Sequence, residues 1–281
     1  MSVFFLEIKA FLVYTKYSDI SCFMYINRVF GIMAKSTKKE KAKLTGELIF
    51  GIHPLCEVLK AKRRKVISIY TTKPEPKSWK SIEKLLPKYP IPIQYVNRDI
   101  LYKMIGTNDH QGVVAWVQKF PFRRKFFNPT KQKFLVMLDG IQDPRNLGAI
   151  LRSSYCTGVS GVIITKKNSA PLNAVVIKSS AGLAEHLEIF VAPSAESAAQ
   201  LLKEAGYTMY MAVFDGQDAH TCEFIKPLCV VIGSEGFGVS KNILKWGKAI
   251  TLPQRTSDIS YNASVAAGIL LFLVGTKNKV I

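Results

Sequence analysis

The sequence predicts an α/β protein with two domains joined by a basic linker. Short apolar runs alternate with amphipathic stretches on both sides of one irregular segment, which is the pattern of strands and helices in α/β folds. The irregular segment, residues 119–133, reads KFPFRRKFFNPTKQK and contains two prolines, six basic residues and four phenylalanines. A chain of 281 residues that is 48% hydrophobic has enough apolar side chains for two packed cores.

The first domain is predicted over residues 47–118. LIFGIHPLCEVLKA combines a short apolar stretch, a Gly/Pro break and a helix, and VISIY (66–70) is typical of a strand. SWKSIEKLLPK follows as an amphipathic helix ended by Pro87, and IPIQYV as a strand. Asn97 can cap a helix that ends at Gly106, and HQGVVAWV supplies the last strand. These elements predict a small α/β sandwich.

The second domain is predicted over residues 134–281 and alternates in the same way. The predicted strands are FLVML, GVIIT, EIFV, YTMYMAV, LCVVIG and AITLP. The predicted helices begin at Asn146, at about Asn173 and at Asn262, with two more over 194–205 and near Ser240–Leu244. This order is typical of a mostly parallel sheet with helices on both faces. In such folds ligands bind at the carboxyl ends of the strands.

Residues 1–46 are predicted to form an N-terminal extension outside the folded domains. Charges interrupt the apolar first thirty residues, so no run approaches the roughly 18–20 residues of a membrane span, and no signal-peptide pattern is present. Residues 35–43 contain five lysines and one glutamate, which predicts a mobile basic tail. Met33 begins a sequence typical of a bacterial start, and we therefore hypothesise that residues 1–32 derive from an upstream start codon.

Nearly all of the excess positive charge lies in one segment. The chain carries a net charge of +19, of which residues 34–133 contribute 23 basic and 7 acidic residues. Such a local field favours a polyanionic partner such as nucleic acid over a merely solubilising surface. The linker phenylalanines could stack on unpaired RNA bases, but packing between the two domains is the preferred interpretation.

The five cysteines are scattered and form no C-x-x-C pair, and the four histidines are dispersed as well. This distribution indicates neither a disulfide framework nor a metal site, and it favours a reduced, cytoplasmic protein.

Three stretches of the second domain contain polar or glycine residues where a strand meets a helix. They are DPRNLGAILRS (143–153), VVIGSEGFGVS (230–240) and SYNASVAAGILLF (260–272). Arg152 is anomalous, because a charge directly follows Ile150 and Leu151 on a helix that should face the sheet. The glycine stretch lacks the G-x-G-x-x-G spacing of a dinucleotide site and the lysine of a P-loop. Ser260 and Asn262, taken alone, would be explained as helix caps.

Together, in this order, the three stretches resemble the motifs of the SpoU (TrmH/RlmB-type) family of RNA 2′-O-ribose methyltransferases, in the SPOUT class. The resemblance covers residues 134–273. It implies a C-terminal trefoil knot, S-adenosylmethionine as methyl donor, and a homodimer whose active site draws on both subunits. The implied catalytic residues are Asn146, Arg152, Glu235, Ser260 and Asn262, and the implied cofactor-binding residues are Ile232, Gly233, Gly236, Leu252 and Tyr261.

The resemblance gives Arg152 a function. It would clamp the phosphate beside the target ribose and orient the 2′-oxygen, with Asn146 as its partner at the helix start. Positioning and charge stabilisation are favoured because a guanidinium is a very weak acid, but the role of general base stays open. Two residues depart from the family pattern: Tyr261 replaces the usual leucine, and Leu183 stands where a small residue is common.

Residues 48–117 resemble the small ribosomal-protein-like (L30e-like) α/β domain that binds substrate in many family members. The HQG sequence at 110–112 is most similar to enzymes that methylate a guanosine ribose in the peptidyl-transferase region of large-subunit (23S-type) rRNA. The same chemistry on tRNA and a non-catalytic, RNA-binding ribosome-assembly factor remain alternatives. A class I methyltransferase is disfavoured, because no acidic-G-x-G-x-G loop follows the first strand.

Overall fold

The structure is a computed structural model that describes residues 46–255 and 260–281. The predicted N-terminal tail and the proposed start at Met33 lie outside the described residues, apart from Gly46. The described chain forms two sheets, one of four strands and one of six.

The four-stranded sheet belongs to the N-terminal part of the chain. Its elements in chain order are β1 (Gly46–Phe50), α1 (Ile52–Ala61), β2 (Val66–Thr71), α2 (Trp79–Glu83), β3 (Ile93–Tyr95), α3 (Arg98–Ile105) and β4 (Val113–Gln118). The strand order is β1-β4-β2-β3, with β4 antiparallel to both neighbours and β2 parallel to β3. Asn97 caps α3 by accepting a hydrogen bond from Ile100 N, and Gly106 ends it in a left-handed conformation, as predicted.

The six-stranded sheet is parallel throughout, as the alternating pattern predicts. Its strands and helices are β5 (Phe134–Asp139), α4 (Pro144–Cys156), β6 (Gly161–Thr165), α5 (Ala174–Ser179), β7 (Ile189–Ala192), α6 (Ala195–Glu204), β8 (Thr208–Asp218), β9 (Leu228–Gly233), α7 (Lys241–Leu244), β10 (Lys248–Thr251) and α8 (Ala263–Lys277). A 3-10 turn, Leu183–His186, follows α5. The strand order is β10-β8-β9-β5-β6-β7, so the ends of β9 and β5 are neighbours.

Alternate residues of β5 face the two helical layers of this domain. Val136 packs in a cluster with Ile150 of α4 and Leu271 of α8, whereas Met137 packs with Leu202 of α6. A strand buried on both faces explains why FLVML contains no polar residue.

Three predicted elements have different bounds. Helix α4 begins at Pro144 and is capped by Asp143, so Asn146 lies within the first turn and is not the cap. This start is favoured because Pro144 fits the first helical position, where no N–H is needed. The predicted helix over SWKSIEKLLPK is regular only over Trp79–Glu83, the part that buries Trp79 and Ile82. Strand β8 continues to Asp218, because β10 pairs with it a second time at Gln217–Asp218.

Three of the four linker phenylalanines pack against protein, and Phe126 and Phe127 do so on the second domain. Phe120 and Phe127 are buried, and Phe126 contacts Phe190 at a ring-centroid distance of 5.3 Å. Phe122 alone among them is exposed, although its ring lies 5.0 Å from that of Phe120.

Candidate active site

The first predicted motif is held by close packing of α4 on α5. Leu147, Ile150 and Leu151 are fully buried, whereas Asn146 and Arg152 lie on outer faces of the helix. A Cβ atom on Gly148 would lie 2.5 Å from Ser179 Cβ and 2.7 Å from Val176 O, so only glycine permits this contact. The anomaly of Arg152 is therefore resolved structurally: the apolar residues before it face the core, and its own side chain faces outward.

The second motif forms a tight loop at the end of β9. Ser234 and Gly238 pair through two backbone hydrogen bonds, of 3.2 and 2.9 Å. A Cβ atom on Gly233 would lie 1.9 Å from the Gly238 carbonyl carbon, so the turn can close only over glycine. Asp139, at the end of β5, accepts a hydrogen bond from Ser240 N at 2.8 Å, which fixes the far end of the loop to the sheet edge.

The third motif begins after β10 and runs into α8. Asn262 caps α8, accepting hydrogen bonds from Ser264 N at 2.9 Å and Ser264 Oγ at 2.6 Å. The Tyr261 hydroxyl donates to Pro253 O at 3.4 Å, which joins the start of α8 to the chain leaving β10. Ser260 is exposed and follows residues 256–259, which lie outside the described part of the chain.

One hydrogen-bonded chain links all three motifs. Asn146 Nδ2 donates to Glu235 Oε1 at 2.5 Å, and Asn262 Nδ2 donates to Asn146 Oδ1 at 3.2 Å. The three residues come from loops or helix starts at the carboxyl edge of the sheet. This edge is where ligands bind in open parallel sheets.

Arg152 lies away from this chain. It is six residues beyond Asn146, or about 9 Å along the helix axis. Within residues 46–255 and 260–281 it forms no ion pair. The predicted catalytic residues thus divide into a hydrogen-bonded group, Asn146, Glu235 and Asn262, and two residues outside that group, Arg152 and Ser260.

The predicted cofactor residues line two neighbouring loops of the same edge. Ile232 is buried and lies within β9, whereas Leu252 is partly buried in the core and directly follows β10; both strands flank β8. A side chain at Gly236 would meet no atom within 4 Å of its Cβ, so the backbone there is open to a ligand. Apolar side chains beside exposed backbone groups suit S-adenosylmethionine, whose adenine and methionine portions need both kinds of contact.

A set of ionic contacts between the two domains was not predicted from the sequence. Arg64, after α1, and Glu185, in the 3-10 turn, form an ion pair in which each side chain is only 1% exposed. Arg64 Nε donates to Glu185 Oε2 at 2.9 Å, and the guanidinium also contacts Glu47 and Gln118 O. Burial raises the pKa of Glu185, and the positive charge of Arg64 opposes that shift. Arg64 is therefore not part of the basic RNA-facing surface that the charge count predicts.

Further contacts join the domains, among them those of His186 and Lys178. His186 Nε2 lies 2.8 Å from Glu57 Oε2, and Glu57 also accepts a hydrogen bond from Lys60 at 2.7 Å. Burial raises the pKa of Glu57, but these hydrogen bonds outweigh it and the net pKa is lowered. Lys178 Nζ donates to Gln111 Oε1 at 2.9 Å, and burial lowers the pKa of Lys178.

The HQG sequence therefore contributes to domain docking. Besides its bond to Lys178, Gln111 Oε1 accepts from Ile52 N at the start of α1, at 3.1 Å. His110 is fully buried, its Nδ1 accepts from Gly112 N at 2.9 Å, and burial lowers its pKa. The sequence contains one sign of the Arg64–Glu185 ion pair. Glu185 is an isolated acid within the stretch SAGLAEH (180–186), which consists mainly of small residues.

None of the helices in residues 46–255 and 260–281 combines the length and the hydrophobicity that a membrane span requires. The same ranges contain no cluster of three or more histidine, cysteine, aspartate or glutamate side chains that could bind a metal ion.

The fold and the site together define an α/β protein with a glycine-rich loop at the carboxyl edge of a parallel sheet and a second domain docked beside that sheet. Two protein-family models match this sequence. The SpoU rRNA methylase family matches residues 133–272, and the domain described as RNA 2′-O ribose methyltransferase substrate binding matches residues 48–123.

Relatives of similar length match across nearly their whole sequences. A putative TrmH family tRNA/rRNA methyltransferase, YacO, of Bacillus subtilis is 32% identical over 83% of this chain and 96% of its own. The 23S rRNA (guanosine-2′-O-)-methyltransferase RlmB of Shewanella oneidensis is 30% identical over 80% and 95%. The chain belongs to the SpoU methylase family.

Solved structures share the fold. An AdoMet-bound rRNA methyltransferase from Sinorhizobium meliloti superposes with a TM-score of 0.70 at 20% identity, covering 87% of this chain and 92% of its own. An RNA 2′-O ribose methyltransferase superposes with a TM-score of 0.74 at 18% identity, covering 87% and 93%. The predicted family, the two-part α/β fold and the assignment as an S-adenosylmethionine-dependent RNA methyltransferase are confirmed.

Proposed function

We propose that this protein transfers a methyl group from S-adenosylmethionine to the 2′-hydroxyl of a guanosine ribose in large-subunit (23S-type) rRNA. The observation that carries the proposal is the hydrogen-bonded chain Glu235–Asn146–Asn262, which unites the three family motifs beside the loop closed over Gly233. The cytoplasmic location that the cysteine pattern favours is part of this proposal.

The choice of substrate rests on the relatives and on the first domain. Several relatives, including those of Shewanella oneidensis and Vibrio cholerae, are named 23S rRNA (guanosine-2′-O-)-methyltransferase RlmB and match over 95–96% of their length. Residues 34–133 supply the positive charge that a long RNA requires. A tRNA substrate is the second candidate, because the Bacillus subtilis relative is named for both RNAs.

The residues of this chain would bind and orient the reacting groups. Bound S-adenosylmethionine supplies a methyl group already activated on a sulfonium. Ile232 and Leu252 would provide apolar contacts, and the backbone at Gly233, Gly236 and Tyr261 would provide polar ones. The knotted threading expected of the family would hold these loops together.

Asn146 and Asn262 would hold the ribose and the cofactor in register, because each amide is already fixed by its neighbour. Glu235 would orient Asn146, its hydrogen-bond partner, and through it the target nucleotide. Ser260 would organise the loop before α8. Arg152, free of ion pairs within the described residues, would clamp the phosphate next to the 2′-oxygen. Fixed alignment of nucleophile and methyl group would supply much of the rate.

We also propose that the protein is a homodimer that pairs through α8. This helix buries Ala267, Leu271 and Val274 within its own domain, yet it also exposes apolar residues on its outer side. The exposed residues are Val265, Ile269 and Phe272, spaced as one helical stripe, and Phe272 is 55% exposed. An apolar stripe on an otherwise buried helix is typical of an oligomer interface. A second subunit would complete the site around Arg152.

The position of the methyl group tests this function directly. Unmodified rRNA is incubated with the protein and S-adenosylmethionine and then digested to nucleosides for mass spectrometry. The proposal expects 2′-O-methylguanosine and no base-methylated nucleoside. Methylation on a base would contradict the chemistry, and methyl transfer to no RNA by protein that binds the cofactor would favour the non-catalytic assembly factor.

A further inference from the structure

Tyr155 is an exposed aromatic residue next to the proposed catalytic arginine. It lies on α4 three residues after Arg152, so that the two Cβ atoms are about 5–6 Å apart on adjacent turns. Its side chain is 44% exposed, whereas Ile150 and Leu151 on the same helix are fully buried. Core packing therefore does not account for the aromatic ring.

The ring of His186 lies beside that of Tyr155. The two ring centroids are 5.2 Å apart and their planes are inclined at 44°. His186 is fixed in turn by its contact with Glu57, at 2.8 Å, across the domain interface. An exposed ring held against a fixed neighbour has already lost much of its rotamer freedom, so binding a flat ligand on it would cost less entropy.

The charges around this pair suit an RNA strand. Lys60, half exposed, donates a hydrogen bond to Glu57 at 2.7 Å, and this carboxylate raises the pKa of the amine. Glu57, a carboxylate in contact with His186, is paired with Lys60. Arg152 lies three residues before Tyr155 on α4. Aromatic rings between basic side chains are the usual binding site for unpaired bases.

We propose that the rings of Tyr155 and His186 form a stacking site for an unpaired RNA base next to the methylated nucleotide. This inference rests on the proposed function, because it takes Arg152 as the residue at the target phosphate. The site lies where the two domains meet. An RNA strand that contacts the basic first domain and ends in the active site would cross it.

Two substitutions at Tyr155 distinguish the contribution of the aromatic ring to RNA binding from that of the hydroxyl group. Tyr155→Leu keeps an apolar side chain without a π surface, and we expect it to raise KM for rRNA about tenfold, the effect of losing one stacked base, with kcat changed by less than about twofold. Tyr155→Phe is the matched control and should keep both constants within about twofold. A wild-type KM in Tyr155→Leu, or an equally raised KM in Tyr155→Phe, would contradict the proposed stacking site.

A fluorescence measurement on the wild-type protein covers the case in which Tyr155→Leu does not fold. RNA fragments carry 2-aminopurine immediately 5′ or 3′ of the target guanosine. Stacking on Tyr155 should quench one of the two on binding, and quenching at neither position would contradict the proposal. The outcome is independent of turnover: a wild-type protein that quenches but methylates nothing would overturn the proposed function while leaving the stacking site in place.

Discussion

Asn262 Nδ2 donates a hydrogen bond to Asn146 Oδ1 at 3.2 Å, although the two residues are 116 positions apart in the chain. Each has a second fixed contact: Asn146 bonds Glu235, and Asn262 caps α8 through Ser264 N. The start of the last helix is thus tied to the first turn of α4 by side chains alone. Polar side chains that form hydrogen bonds with one another at a sheet edge indicate a preorganised site rather than three unrelated polar residues.

Asn262→Ala should reduce methyl transfer by far more than it reduces stability. Loss of the cap should lower the free energy of unfolding by about 1 kcal/mol. Loss of the bond to Asn146 should lower kcat by about tenfold or more, because two groups in the site become free to move. Denaturant unfolding and steady-state methylation measure the two effects.

Asn97→Ala is the matched control, because Asn97 caps α3 through Ile100 N in the first domain, away from the Asn146–Glu235 contact. It should lose similar stability and keep its kcat. If both variants lose activity equally, Asn262 acts only as a cap.

Arg152→Ala should keep cofactor binding and lose methylation. The side chain is exposed, so its removal should change the free energy of unfolding by less than about 0.5 kcal/mol. Arg152→Lys retains the charge without the bidentate fork and should remain well below wild type. Calorimetric titration with S-adenosylmethionine and a methylation assay test both variants; full activity in Arg152→Ala would end its assignment to the site.

Gly233→Ala should abolish cofactor binding by opening the loop after β9. The added Cβ would lie 1.9 Å from the Gly238 carbonyl carbon and 2.1 Å from Val239 N, so the backbone must move. Gly236→Ala is the control for the fold, because a Cβ there meets no atom within 4 Å. We expect Gly236→Ala to melt like the wild type. Normal cofactor affinity in Gly233→Ala would show that the loop does not form the cofactor site.

Arg64→Met should destabilise the protein by about 3–5 kcal/mol, because it leaves Glu185 buried without its partner. The double variant Arg64→Met/Glu185→Gln should lose less than the sum of the two single variants, since no charge then remains buried. Urea unfolding of the three variants measures this coupling. Additive losses would mean that the two side chains do not stabilise the domain interface as a pair.

Phe272→Lys should convert the protein from dimer to monomer without unfolding it. Phe272 is 55% exposed within one chain, so the charge costs little there but is costly within an apolar interface. Ile225→Lys is the control, because Ile225 is 51% exposed elsewhere on the surface. Sedimentation velocity at micromolar concentration distinguishes monomer from dimer for the wild type and for both variants. A monomeric wild type would rule out pairing through α8.

The sequence predicted the parallel sheet and its motifs because periodicity reports which faces of a strand or helix are buried. It also predicted that Asn146, Glu235 and Asn262 lie at one edge of the sheet, because strand ends meet there. It did not predict which of these side chains form hydrogen bonds with one another. The ion pair between the two domains could not be predicted. Arg64 and Glu185 are 121 residues apart, and a buried arginine in a basic stretch looks the same in sequence as an exposed one.

The measurement that tests the central claim most directly is methyl transfer from labelled S-adenosylmethionine to two unmodified RNAs, protein-free large-subunit rRNA and bulk tRNA. The account predicts label in the rRNA alone, at a guanosine 2′-oxygen, and none with Arg152→Ala. Label in tRNA alone, or in neither RNA with the cofactor bound, would contradict it.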